Sequence, residues 1–101
     1  MLKDEFLNLL FERAKQLNIN YKVDFDDETL EDVISFDYEM YIMINDCVVY
    51  FHKVKITKNY LVCFIGFYST QHFIETKQKW HREIHEFSKM WIELSSVKNI
   101  I

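Results

Sequence analysis

Hydrophobic residues in the first third of the chain recur first at helical spacing and then at strand spacing. In residues 2–17 they recur every three or four positions, which predicts an amphipathic helix. Tyr21, Val23 and Phe25 then alternate with polar residues, which predicts a short strand with one face in water. Residues 26–32 fit either one capped helical turn or a solvated loop.

Three longer alternating segments follow, and they predict an antiparallel sheet. The segments are residues 34–44, 47–56 and 60–69. Asn45-Asp46 and Lys58-Asn59, which separate them, suit two-residue hairpin turns. These turns set a register that pairs Tyr41 with Tyr50, Glu39 with His52, and Tyr50 with Phe67.

In this register both faces of the predicted sheet are apolar. One face carries Phe36, Tyr38, Met40, Ile42, Ile44, Val49, Phe51, Phe64 and Tyr68. The other carries Tyr41, Met43, Val48, Tyr50, Val54, Ile56, Ile65 and Phe67. The two helices that flank the predicted sheet either cover one face each or both cover the same face. In the second case the uncovered face is a binding surface, because monomeric proteins rarely expose large apolar patches. The face with Tyr41 and Tyr50 is the candidate, because Asp37 and Glu39 share it and acids resist burial.

The last third of the chain has a three-and-four repeat that predicts a long helix. It begins at Ser69 or Thr70, ends near Ser96, and carries Phe73, Trp80, Ile84, Phe87, Trp91 and Leu94 on one side. The predicted fold is therefore a single α+β domain over residues 1–101. It has an N-terminal helix, an antiparallel sheet of three main strands plus one short strand, and a long C-terminal amphipathic helix.

Composition adds a strongly acidic segment to this picture. The chain has 16 acidic and 12 basic residues, and half of the acids fall in one stretch without a basic residue. They are Asp24, Asp26, Asp27, Glu28, Glu31, Asp32, Asp37 and Glu39. Such a surface keeps a small protein soluble or attracts a basic protein partner, and it disfavours direct binding to nucleic acid. We expect these acids, with Tyr41 and Tyr50, to form the partner-binding surface.

No motif for catalysis, a cofactor or a metal is present, and a non-enzymatic protein is expected. His81 and His85 are four residues apart, but Arg82 stands where a zinc protease needs glutamate. Cys47 and Cys63 fall on opposite faces of the predicted sheet, so they cannot form a disulfide. The charged N-terminus and the absence of a long apolar run predict a cytoplasmic protein that does not enter a membrane.

A homodimeric structural or regulatory protein is the alternative function. Its predicted seam lies along the C-terminal helix, at Trp80, Ile84, Phe87 and Trp91. In composition, the chain resembles small accessory proteins of phages and mobile elements, anti-CRISPR proteins among them. Its short length, lack of proline, abundance of Lys, Asn and Ile, and acidic residues 24–39 carry this resemblance. The resemblance implies an inhibitor that occupies a partner's nucleic-acid-binding groove.

Overall fold

One α-helix and six β-strands make up the part of the chain that the computed structural model describes. It describes residues 1–28, 31–45 and 47–100, with residue 72 described by its backbone alone. The helix is α1 (Lys3–Gln16). The strands are β1 (Tyr21–Asp26), β2 (Glu31–Ile44), β3 (Cys47–Ile56), β4 (Tyr60–Ile74), β5 (Lys79–Glu93) and β6 (Val97–Ile100).

The strands form one antiparallel sheet in the order β1-β2-β3-β4-β5, with β6 also paired to β2. β3 runs along one side of β2. β1 therefore pairs with the first part of the opposite side, and β6 pairs with its last residues. β5 forms the other edge of the sheet and pairs with β4 over its whole length. Two sheet edges result, one shared by β1 and β6 and the other formed by β5.

The predicted N-terminal helix and the predicted hairpin registers are confirmed. α1 buries Phe6, Leu10 and Ala14, which recur every four residues, against one face of the sheet. β2 and β3 pair Tyr41 with Tyr50, and β3 and β4 pair Tyr50 with Phe67. The predicted turn at residues 45–46 includes residue 46, which lies outside the described residues.

The predicted long C-terminal helix is wrong, and the fold is mostly β rather than α+β. β4 continues past residue 69 to Ile74, a 3-10 turn at Glu75–Lys77 reverses the chain, and β5 returns beside β4. Gln78 has a φ of 49° and closes this reversal in the left-handed region. Residues four apart share one side of a helix and also one face of a strand, so Trp80 and Ile84 fit both structures. Phe87 and Trp91 fit both for the same reason.

The core lies between α1 and the inner face of the sheet. Met40, Ile42, Val49 and Phe51 are buried there, as the alternation predicts. Val54 and Ile56 are buried in the same core, although they are predicted on the opposite face. The β2–β3 register shifts between Ser35 and Met40, and this irregularity exchanges the two faces along the sheet. Of the helices in the described ranges, none has the length and apolarity needed to cross a membrane.

Candidate protein-binding face

Three aromatic side chains form a ladder across the outer face of the sheet. The rings of Tyr41 and Tyr50 meet edge to face, with centroids 4.6 Å apart. The rings of Tyr50 and Phe67 stack at 4.3 Å with an interplanar angle of 16°. Each ring comes from a different one of the three neighbouring strands β2, β3 and β4, so the ladder is fixed by the registers of two hairpins.

A second row of side chains extends this apolar surface. Met43 and Val48 lie two residues from Tyr41 and Tyr50, and residues two apart on a strand share a face. Ile84 on β5 faces Ser69, which lies two residues from Phe67 on β4. Ile84 is 58% exposed, whereas the other members are half-buried. α1, the helix in the described part of the chain, packs on the opposite face of the sheet. We call this surface the outer patch, and its members are Tyr41, Met43, Val48, Tyr50, Phe67 and Ile84.

Carboxylates stand beside the ladder. A surface cavity of about 350 Å³ is lined by the ladder rings Tyr50 and Phe67, by the glutamates Glu39 and Glu86, and by His52. The Glu39 carboxylate lies 4.0 Å from His52 Nε2, although the two residues fall in the irregular part of the β2–β3 register and are not paired there. Burial and the nearby Glu39 charge raise the pKa of Tyr41, so its hydroxyl stays protonated. The cavity therefore combines aromatic faces with negative charge.

Most of the acidic segment lies elsewhere, at the β1–β2 hairpin. Lys55 on β3 is 3.2 Å from Asp26 and 3.4 Å from Glu31, so these two carboxylates are held by an internal cation. Asp24 lies 3.5 Å from Lys22. The described acids of this end that form no ion pair are exposed or half-buried: Asp27, Glu28 and Asp32.

The structure thus divides the predicted partner-binding residues into two groups. Asp32 and Tyr41 are nine residues apart on β2, which is roughly 30 Å at strand rise. Glu39, Tyr41 and Tyr50 come together, whereas the acids of residues 24–32 form a separate group. Asp37 lies between the groups, at the irregular part of β2, where its backbone N–H donates to the Asn20 carbonyl.

The residues of the predicted dimer seam are on a strand rather than a helix. Trp80 and Trp91 are 68% and 62% exposed, whereas Phe87 is half-buried against the core. Ile84 joins the outer patch. Phe67 was predicted on this face but not among the partner-binding residues, and the contribution of Ile84 and Glu86 was not predicted. The signal for Phe67 was its pairing with Tyr50, and the signal for the other two was the even spacing along β5.

The two histidines considered as metal ligands and the two cysteines make ordinary local contacts. His81 and His85 lie 3.7 Å and 3.5 Å from the carboxylate of Glu83, between them on β5. Among the described residues, no group of three or more potential ligands is placed to hold a metal ion. Cys47 and Cys63 are free, and burial raises the pKa of the Cys63 thiol to about 12.

In comparisons with known proteins, the chain matches no protein-family model, no curated protein and no solved structure. Its resemblance to small phage and mobile-element proteins therefore stays a prediction from composition.

Proposed function

We propose that this protein is a non-catalytic binding module that docks its outer patch onto a basic protein partner. The observation that carries the proposal is the Tyr41–Tyr50–Phe67 ladder, on the face opposite α1 and beside the Glu39 and Glu86 carboxylates. Aromatic side chains are enriched at the centres of protein interfaces, where they anchor binding. A row of three of them on an open sheet face fits that role.

The chemistry of the cavity selects a cationic side chain from the partner. An Arg or Lys that enters it meets the faces of Tyr50 and Phe67, which attract cations. The carboxylates of Glu39 and Glu86 line the same cavity and supply opposite charge. An acidic ligand or a nucleic-acid phosphate would meet repulsion from both glutamates.

The acids of the β1–β2 hairpin act at longer range in this proposal. Asp27, Glu28 and Asp32 form no ion pair among the described residues, and the chain carries a net charge of −4. Such charges raise the rate at which a basic partner arrives rather than the lifetime of the complex. We therefore expect hairpin variants to change the association rate and patch variants to change the dissociation rate.

Inhibition by occupancy is the mode of action that this surface fits best. A rigid sheet face that covers a basic surface excludes other ligands from it, and basic surfaces are typical of nucleic-acid-binding proteins. The compositional resemblance to phage and mobile-element inhibitors supports the same role. We place the protein in the cytoplasm, because both of its cysteines are free thiols.

Affinity capture from a cell lysate with matched charge variants tests this function. Glu39→Lys reverses a carboxylate of the cavity, and Glu12→Lys makes the same change on the exposed side of α1. We expect a basic protein that binds wild type and Glu12→Lys, with Glu39→Lys and Tyr41→Ala losing it. Equal capture by Glu39→Lys and wild type would contradict the proposal.

A further inference from the structure

A second cavity on the outer face of the sheet is lined by lysines and aromatic rings. Its volume is about 500 Å³, and its lining includes Lys55, Lys58, Lys89, Tyr60, Phe64 and Trp91. Leu61, Cys63 and Ile92, which alternate with these side chains along β4 and β5, belong to the core on the α1 side. The cavity therefore opens on the face that α1 does not cover, and its size is in the range of small-ligand sites.

Val62 forms the floor of this cavity. Its side chain is 1% exposed, although it does not belong to the core cluster that packs against α1. It pairs with Lys55 on β3 and with Trp91 on β5, so both neighbours stand beside it on the outer face. An apolar floor with a few polar groups around it is typical of sites for small ligands.

Two lysine ammonium groups lie close to one ring of this cavity. Lys53 Nζ and Lys89 Nζ are 5.5 Å and 5.8 Å from the centroid of Phe64, and Lys89 Nζ is also 5.4 Å from the centroid of Trp91. Both lysines are exposed, and neither forms an ion pair with a carboxylate among the described residues. Two positive charges beside one ring repel each other, and a bound anion would relieve that repulsion.

The β3–β4 turn holds further polar groups in fixed positions at the other end of the cavity. The Thr57 N–H donates to the Tyr60 carbonyl at 2.9 Å, and the Tyr60 N–H donates to Thr57 Oγ1 at 2.9 Å. Lys58 and Asn59 lie between these residues, are exposed, and line the cavity. Because their backbone is already ordered, a ligand that contacts them binds at a lower entropic cost.

We propose that this cavity binds a single nucleotide, with its base stacked on Trp91 and its phosphates between Lys53 and Lys89. The indole of Trp91 is 62% exposed, and Tyr60 meets it edge to face at 6.3 Å, which supports the ring in one orientation. Stacking on an aromatic ring accepts any base, and lysine ammonium groups are common phosphate ligands. The amide of Asn59 supplies a hydrogen-bond donor and acceptor for the edge of the base.

Carboxylates at both ends limit the ligand to one nucleotide. At the turn end, Asp26 and Glu31 lie 3.2 Å and 3.4 Å from Lys55, so that lysine is already neutralised. At the other end, Glu39 and Glu86 line the neighbouring cavity of the outer patch. A longer single strand would place its next phosphates against these carboxylates, and like charges repel. This site lies outside the outer patch, so it does not rest on the proposed protein binding.

Tryptophan fluorescence with ATP as the probe tests the position of the base, because the chain has two tryptophans. In Trp80→Phe, Trp91 is the remaining tryptophan, and we expect ATP to quench its emission until the site is saturated. In Trp91→Phe, the remaining Trp80 lies at the far end of the same strand, and we expect no saturable quenching. Isothermal titration calorimetry gives the Kd of wild type without relying on either tryptophan.

Charge variants test the position of the phosphates. Lys53→Gln and Lys89→Gln should each weaken ATP binding about tenfold, because each removes a charged hydrogen-bond donor. Lys79→Gln, which changes an exposed lysine at the start of β5, is the matched control and should bind ATP like wild type. Circular dichroism checks that each variant is folded.

Fragments of the ligand separate a nucleotide site from a simple anion site. Adenosine and inorganic triphosphate should each bind at least about tenfold more weakly than ATP. Inorganic triphosphate that binds as tightly as ATP would overturn the proposal, and so would an oligoadenylate that binds much more tightly than ATP. A Kd for ATP above about 1 mM, or equal binding by wild type and Lys89→Gln, would overturn it as well.

Discussion

Gly66→Ala is a direct test of how closely β3 and β4 approach in the middle of the sheet. A Cβ at residue 66 would overlap the backbone carbonyl oxygen of Tyr50 and lie 3.0 Å from Phe87 Cζ. The overlap involves backbone rather than the end of a flexible side chain, so β3 and β4 must move apart. Gly66 faces Phe87 across the β4–β5 pair, and that ring covers the glycine.

The expected change in stability of Gly66→Ala follows from two opposing effects. An added methyl group in a tightly packed place costs about 1–3 kcal/mol of stability, and a backbone overlap belongs at the upper end. Alanine is better than glycine in an unstrained strand by roughly 0.5–1 kcal/mol, which offsets part of that loss. We expect a net loss of about 2 kcal/mol, which lowers the Tm of a domain this size by roughly 8–16 °C.

Thermal and urea unfolding, followed by circular dichroism, measure this change. Ser88→Ala, at an exposed position of β5, is the control and should change stability by less than about 0.5 kcal/mol. An unchanged or higher Tm for Gly66→Ala would refute the close approach, because it would show that a side chain fits there.

Three further experiments test the core, the buried thiol and the internal ion pairs. Phe51→Ala should cost about 3–5 kcal/mol in urea unfolding, because Phe51 is fully buried. The exposed Phe25→Ala should change stability little. A maleimide should leave Cys63 unlabelled at pH 8 until the protein is unfolded, because burial raises its pKa to about 12. Burial lowers the pKa of Lys55, but Asp26 and Glu31 raise it more, and the net shift is upward. The extra stability of wild type over Lys55→Met should therefore be full below pH 10.5 and shrink above it in unfolding titrations.

The hairpins of the sheet could be predicted from the sequence, because strand alternation and short turns fix a register together. The pairing of Tyr41 with Tyr50 and of Tyr50 with Phe67 depended only on two turn positions. The exchange of faces at Val54 could not be predicted, because it arises from the shift between Ser35 and Met40. That irregularity has no marker such as glycine or proline in residues 35–40.

The C-terminal segment could not be assigned from periodicity alone. Trp80 and Ile84 are four residues apart, as are Phe87 and Trp91, and that spacing fits a helix and a strand equally well. The step of three from Ile84 to Phe87 favoured the helix. The reversal between β4 and β5 uses Gln78 in the left-handed region rather than glycine or asparagine, so the turn had no clear signal. Both tryptophans were expected in a packed helix face, and in the structure both are exposed.

The candidate site was predicted in part. The sequence placed Glu39 beside Tyr41 and Tyr50, because alternation on one strand and one register connect them. The sequence did not show that the hairpin acids lie far from these residues, because counting charges along a chain gives no distance between them in space. Lys55 lies far along the chain from Asp26, so only the folded sheet shows that it pairs with this acid.

The most direct test of the proposed binding face is a nuclear magnetic resonance titration with an arginine-rich peptide. We predict chemical-shift changes centred on Glu39, Tyr41, Tyr50 and Phe67, with weaker changes at the β1–β2 hairpin. They should vanish in Glu39→Lys and persist in Glu12→Lys. Shift changes confined to the hairpin acids, or equal in the two variants, would contradict a binding role for the outer patch.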